Sequence, residues 1–441
     1  MLVSTLMTAS RRPRSVPNDQ ELRLWKVGRA LTVTFVAAIL GAGCVFYSLV
    51  VLLDFQEIDS TAKLDAKTLF DLVKLSFGVV AGAGALVALV VAYRRQRVDE
   101  AGAHREATRL HTERFSQAVD KLGSESPAVR LGGVHALAGL ADDAPDHSLR
   151  QTCIDVLCAY LQLPFTPDPG NDPAHQEEHH RYLAFRNVRH TILRLIGDHY
   201  RRPQGTHRSW QGCDLDLTGV TIDCNTDFSR AVFSGGTVSF DDVVFSGGAM
   251  SFDGAVFSGG KVSFRRTTFS GGKVSFRRAV FSGGTVSLVD ATFSGGTVSF
   301  DHTTFLSGKV FLDGATFLSG RVSFGCAVFS GGTVSFGAAE FSGGTVSFRR
   351  AEFSGGRVVF GGALFSGGTV AFGLAAFSRG AVSFRGATFS GDEVSFTSVR
   401  FFGGDVSFGE ATGPAPSGLL AAVITASVPV VLPSAWLPVN P

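Results

Sequence analysis

Three groups of residues in this chain of 441 residues have types and spacings that chemistry could use. The first is His175-Gln-Glu-Glu-His179-His180, where histidines and carboxylates four apart would share a helix face and could ligate a metal. The stretch Pro164–Glu178 leading into it is rich in Pro, Asp, Gly and Asn, so a solvated linker or helix start is the favoured reading. The second is Ser-Gly-Gly, which recurs from Ser234 onward. A phosphate-cradling loop needs Lys-Ser/Thr after its glycines, and none follows here. Nor do these serines have a His or Asp at fixed spacing to activate them. The third is the six cysteines, Cys44, Cys153, Cys158, Cys213, Cys224 and Cys326, which form no C-x-x-C pair. Scattered in this way they read as reduced thiols serving as small apolar residues in a reducing compartment. No catalytic, cofactor-binding or metal site is expected, and the chain is not expected to be an enzyme.

The Ser-Gly-Gly triplets belong to a larger regularity. From Phe228 to Glu410 a twelve-residue unit, A-x-F-S-G-G-x-V-S-F-x-x, repeats without insertion or deletion. Such register predicts a solenoid, because each unit buries its apolar side only against the next. One Phe series runs Phe233, Phe245, Phe257 and onward to Phe401; a second runs Phe240, Phe252, Phe264, Phe276, with Leu at 288 and 312, to Phe408. Val243 shares strand parity with Phe245, and Val262 with Phe264, so both members of each pair face inward. Gly-Gly serves as a corner where positive φ and tight stacking are required. The other corner carries Asp241-Asp242, Arg265-Arg266, Arg277-Arg278 or Arg349-Arg350, which must project into water. Two coil sizes fit. Two units per turn give a four-sided coil with four Phe and four small residues inside, and one unit gives a flat two-sided coil. At about 4.8 Å per coil the rod is roughly 35 Å or 70 Å long. The four-sided form is favoured.

Before the repeat lie two uncharged apolar stretches, Ala30–Leu53 and Leu75–Tyr93, each near the roughly 20 residues a membrane span needs. Arg11, Arg12, Arg14, Arg23, Lys26 and Arg29 precede the first, and Arg94, Arg95 and Arg97 follow the second. That bias predicts a multi-pass protein of the inner (plasma) membrane with both termini cytoplasmic. Gly78 and Gly82 would allow close helix approach and hence an oligomer.

Helical periodicity then fills Val98–Leu122, Pro127–Ala141, Ser148–Leu161 and Tyr182–Tyr200, the middle two forming a HEAT-like pair. His190 and His199 are expected at the polar edge of the last helix. The organisation expected is a basic tail over 1–29, spans over 30–93, a helical module over 94–202 with a linker at 164–178, a solenoid over 203–412 and a cap over 413–441. In the cap, Leu419, Leu420, Val423 and Ile424 would plug the last coil, and Pro414, Pro416, Pro429, Pro433 and Pro438 would stop further strands.

Arg114-Phe-x-x-Ala118-x-x-x-Leu122-Gly123-Ser124, followed by Val129-Arg130-x-Gly132-Gly133-x-x-Ala136-Leu137, resembles the cytoplasmic stretch of bacterial membrane-anchored pentapeptide-repeat proteins. The inward pairs Leu215-x-Leu217 and Val220-x-Ile222, five apart, are similar to pentapeptide repeats, with a one-residue frame shift at Asp227-Phe228 before the longer register begins. The resemblance implies a mixed fold: a two-helix membrane hairpin, an α-helical module and a right-handed β-solenoid. It implies no assigned activity. Some pentapeptide-repeat proteins imitate DNA and bind topoisomerases, which requires a strongly acidic surface. From Cys213 to Thr412 there are 16 Asp/Glu and 15 Lys/Arg, so that reading ranks second. Ice binding through hydroxyl ladders such as Thr237-x-Ser239 and Thr285-x-Ser287 ranks third, since Lys261, Lys273, Lys309, Arg321 and Arg357 interrupt them. The function expected is a membrane-tethered scaffold for an unknown cytoplasmic protein. Its other partner is membrane lipid, and nucleic acid is not expected.

Overall fold

The computed structural model describes residues 66–164, 168–170, 172–390 and 393–437, with scattered positions between 32 and 47. The chain divides into two compact units, Met1–Glu106 and Ala107–Pro441.

In the first unit, the expected span Ala30–Leu53 lies mostly outside the described residues. The expected span Leu75–Tyr93 falls within α1, Ala66–Leu122, one continuous helix of 57 residues with Gly78 and Gly82 in its course. Among the described residues no helix is long and apolar enough to cross a membrane. A Cβ at Gly78 or Gly82 would meet nothing within 4 Å, so neither glycine lies against another part of the described chain.

The second unit begins with a helical module. Pro127 starts α2, Pro127–Asp142, at a position where its missing N–H is harmless. In α3, His147–Gln162, the Asp146 carboxylate caps the start by accepting from Leu149 N at 2.9 Å. The two helices pack through Val134, Leu137 and Ala141 against Ile154, Leu157 and Leu161, all nearly inaccessible to solvent. The third helix starts earlier than its apolar stripe suggests, because α4 spans Gln176–Tyr200. Asp172 accepts from Ala174 N at 3.0 Å and opens a short 3-10 turn, and Glu177 and Glu178 then suit the positive helix N-terminus. The expected linker 164–178 therefore ends in helix, and His179 and His180 are helical.

The solenoid has four parallel faces, lettered A to D here in chain order, starting from Leu215–Asp216 on A, Thr221–Ile222 on B, Thr226–Asp227 on C and Val232–Phe233 on D. Ten strands stack on face A and eight on each of the others, giving about nine right-handed turns. Partners lie two repeat units apart, as in Lys273↔Thr297 and Phe269↔Phe293. The coil is four-sided, and the flat alternative falls. The first coil is one residue short: Leu215 pairs with Val238 and Thr221 with Val244, but Thr226 pairs with Met250. The frame therefore shifts at Asp223-Cys224, before the expected Asp227-Phe228, because later coils have three residues, Ser-Gly-Gly, at that corner.

Inside the rod, Phe side chains stand in four columns. Phe257, Phe281, Phe305 and Phe329 follow one another at 4.7–5.0 Å between ring centroids, in near-parallel planes. Phe252 and Phe276 stack likewise at 4.7 Å and meet Phe264 edge-on at 5.9 Å. Each such contact adds about 0.5–1.5 kcal/mol beyond area burial.

The two kinds of corner solve different problems. At Ser-Gly-Gly the first glycine approaches the coil below: a Cβ on Gly259 would sit 2.3 Å from Ser234 O. The second takes positive φ, +66° at Gly260, and is equally crowded. The other corner is a turn in which Val243 N donates to Phe240 O at 3.3 Å and Asp242 takes φ +57°. Positive φ at the third turn position is the type II geometry, normally given to Gly or Asn. Here Arg266, Arg278, Cys326, Ala338 and Leu374 also adopt it.

At the far end the chain continues the coil further than its prolines suggest. Thr412 and Ser417 bridge to Thr388 and Ser395, and Val430–Val431 joins face A beside Asp405–Ser407. Pro429 precedes that strand without blocking it. In the short helix α5, Leu419–Ile424, Leu419 and Ala422 are buried, but Leu420 and Ile424 are exposed and are not plugs. Trp436 closes the core instead, lying over Phe389 and Phe408 and donating from Nε1 to Gly413 O at 2.8 Å.

Candidate functional site

The histidine cluster does not assemble a metal centre. His179 Nδ1 lies 2.6 Å from Asp168 Oδ1, and no three His, Cys, Asp or Glu residues converge among the described residues. The cysteines are apolar filler in the core: Cys153, Cys158, Cys213 and Cys224 are buried. Burial pushes the Cys153 and Cys213 thiols up to about 11 and Cys158 to about 12, so thiolate chemistry is suppressed.

The most connected polar cluster joins the module to the coil. Asp142, at the end of α2, faces His199 Nε2 at 3.1 Å, Trp210 Nε1 at 3.1 Å and Arg202 Nη1 at 3.4 Å. The His199 ring stacks on Trp210 with 4.0 Å between centroids, and its Nδ1 faces Leu195 O at 2.6 Å. His199 is buried, not at the polar edge the helical periodicity suggests, because Trp210 of the following loop and Asp142 at the end of α2 pack on its ring. Close by, Gly197 of α4 runs against the Asp227 carbonyl, where a Cβ would lie at 2.3 Å. Tyr182 OH donates to Asp223 Oδ2, and burial and that carboxylate raise the phenol to about 12. Every polar group in this cluster points at its own chain. It is a clasp.

On the outer faces, the expected hydroxyl ladders are partly consumed by the fold. Ser263 and Ser275 are buried and donate to Asp241 and Asp253 of the preceding coil, and those carboxylates also accept from Arg265 N at 2.9 Å and Arg277 N at 3.1 Å. An Asp at the corner thus caps two donors of the next coil. Charge is also biased by side. The corner after face C carries Arg230, Arg277, Arg278, Arg349 and Arg350 against Asp253 and Asp301, whereas the corner after face A carries Asp241, Asp242, Asp290, Asp313 and Glu410 against Arg265, Arg266 and Arg385. The near-neutral total hides this, because one-dimensional counting ignores which corner each residue turns.

Residues 252–304 match the family model of pentapeptide repeats (nine copies). The matched stretch lies within the β-solenoid. No curated protein and no solved structure gives a match. In this solenoid the repeating Phe and Gly, and part of the repeating Ser, are accounted for by stacking, corner turns and coil-to-coil hydrogen bonds. What varies is the charged residue at outward positions, at the corners and at the strand starts.

Proposed function

We propose that this protein is a non-catalytic interaction scaffold, attached to a membrane through its N-terminal unit. The observation that carries the scaffold reading is the rod itself: about nine coils, roughly 40 Å of parallel sheet, part of whose recurring polar groups hold the next coil. Charge varies at outward positions, on the corners and at strand residues such as Lys261, Arg321 and Glu340, where it alters the surface without altering the core. Attachment is supported by the absence of Asp, Glu, Lys and Arg from Leu75 to Tyr93, by the arginines that follow, and by exposed Leu75, Val79, Leu86, Leu89 and Val91 within α1. The partner is a cytoplasmic protein, and orientation with both termini inside follows from the same flanking charges.

Two experiments separate the parts of this reading. Affinity capture from native membranes with the full chain, compared with a chain carrying Arg349→Glu and Arg350→Glu, should recover a partner whose yield falls in the variant. The same recovery from both chains, or none from either, overturns corner recognition. Alkaline carbonate extraction should leave the chain in the membrane pellet. Release into the supernatant overturns attachment and leaves the scaffold standing.

A further inference from the structure

Along the corner after face C, the positive-φ position is held at successive coils by Arg230, Gly254 and Arg278. The glycine leaves a gap between two arginines, since a Cβ there would meet only Arg230 Cγ, at 3.9 Å. The gap opens a groove of about 740 Å³ at the base of the coil, lined by Arg201, Arg230, Arg277 and Arg278 together with Asp227 and Asp253.

The two carboxylates are turned toward their own chain. Asp227 accepts from Ser229 N at 2.8 Å and pairs with Arg201 at 3.3 Å. Partial burial would raise the Asp227 carboxyl, but the Ser229 hydrogen bonds and the charges of Arg201 and Arg230 outweigh it and hold the group below its usual value. Asp253 accepts from Ser275 Oγ and from Arg277 N. Arg201 is held by Asp198 and Asp227. The guanidiniums of Arg230, Arg277 and Arg278 make no hydrogen bond or ion pair among the described residues, although Arg230 is near enough to Asp227 to act on it through space. Four lining cations face two lining anions, and with Asp198 set against Arg201 one positive charge remains in excess in one concave site.

We propose that this groove binds a phosphate monoester dianion. Guanidinium is permanently charged, and its planar fork matches phosphate oxygens two at a time. The volume exceeds what one phosphate fills and leaves room for the alcohol it esterifies. The phosphate could be that of a soluble metabolite or the headgroup of a phosphatidic lipid, and the chemistry of recognition is shared.

The test titrates purified full-length chain, in detergent and about 0.15 M sodium chloride, with glycerol 3-phosphate by calorimetry. Saturable binding is expected, weakened about tenfold or more by Arg230→Gln with Arg278→Gln. Gly254→Leu should weaken it as much while leaving every charge in place; Leu374 occupies the same turn position with φ +61°, so the corner accepts this side chain. Arg321→Gln with Arg357→Gln, at strand positions that do not line the groove, should leave affinity unchanged. No saturation, undiminished binding in Gly254→Leu, or equal loss in the Arg321/Arg357 variant overturns the proposal. Phosphatidylcholine vesicles containing phosphatidic acid distinguish the sources. Binding displaced by glycerol 3-phosphate supports the lipid headgroup, and binding of glycerol 3-phosphate alone supports the soluble ester.

Discussion

Gly362 and Gly368 are six residues apart with nearly the same backbone, φ +66° and +67°, yet a side chain would find very different space. At Gly362 a Cβ meets nothing within 4 Å; at Gly368 it would lie 2.5 Å from the Gly343 carbonyl carbon of the coil below. Alanine at Gly362 suffers only the left-handed backbone, about 1–2 kcal/mol, offset by about 0.4–1 kcal/mol from the restricted unfolded chain. Gly362→Ala should therefore cost about 0–1.5 kcal/mol. Gly368→Ala carries the same terms plus a forced shift of packed backbone, about 1–3 kcal/mol more. The chain largely follows this rule: Cys326, Ala338 and Leu374 occupy the first kind of site, whereas the second kind is Gly at every described corner from Gly236 onward, with Asp392 at the equivalent repeat position outside the described residues. Urea unfolding of the full chain, followed by far-UV circular dichroism, measures both variants. Because the residues flank one strand of the same coil, Leu364–Phe365, any departure from two-state behaviour affects them alike, and the difference between them is the robust quantity. Equal costs would refute the claim that coil-to-coil spacing, and not backbone conformation, demands the second glycine.

Phe276→Ala removes two stacked contacts at 4.7 Å and one edge-on contact, and should cost about 3–5 kcal/mol in the same unfolding assay; under about 1.5 kcal/mol would mean the columns are loosely packed. With a thiol reagent at pH 8, half-buried Cys326 should react promptly, while Cys153, Cys158, Cys213 and Cys224 should stay protected until the chain unfolds; prompt reaction of those four would contradict the closed base. Acid should weaken the base through Asp227. Its folded carboxyl lies below the ordinary value of about 3.9, so its contribution is present above that pH and is lost as pH falls through the folded pKa. The melting-temperature gap between the native chain and Asp227→Asn should persist near pH 6 and close below about pH 4; a gap independent of pH would show that the charge is not what matters.

Much of this was legible in one dimension. Inward pairs such as Val243 and Phe245 follow from strand parity, and the unbroken twelve-residue register could close only into identical stacked coils. That helices precede a solenoid followed from the change of period from helical to repetitive. The clasp of Asp142, His199 and Trp210 was not legible, since no local signal links residues drawn from two helices and a loop. Nor was the cap, where Pro429 suggested an end to pairing that Val430–Val431 continues.

The sequence by itself determined the coil. Its period, its inward phenylalanines and its glycine corners are local properties, and every coil meets a neighbour of the same composition. Only the tertiary structure decided what lies side by side across coils. Arg230 and Arg278 are distant in sequence, yet one corner places them on either side of Gly254. A near-neutral composition thus became a rod with a cationic groove at its base, because charge acts through space and the coil sets which charges share it.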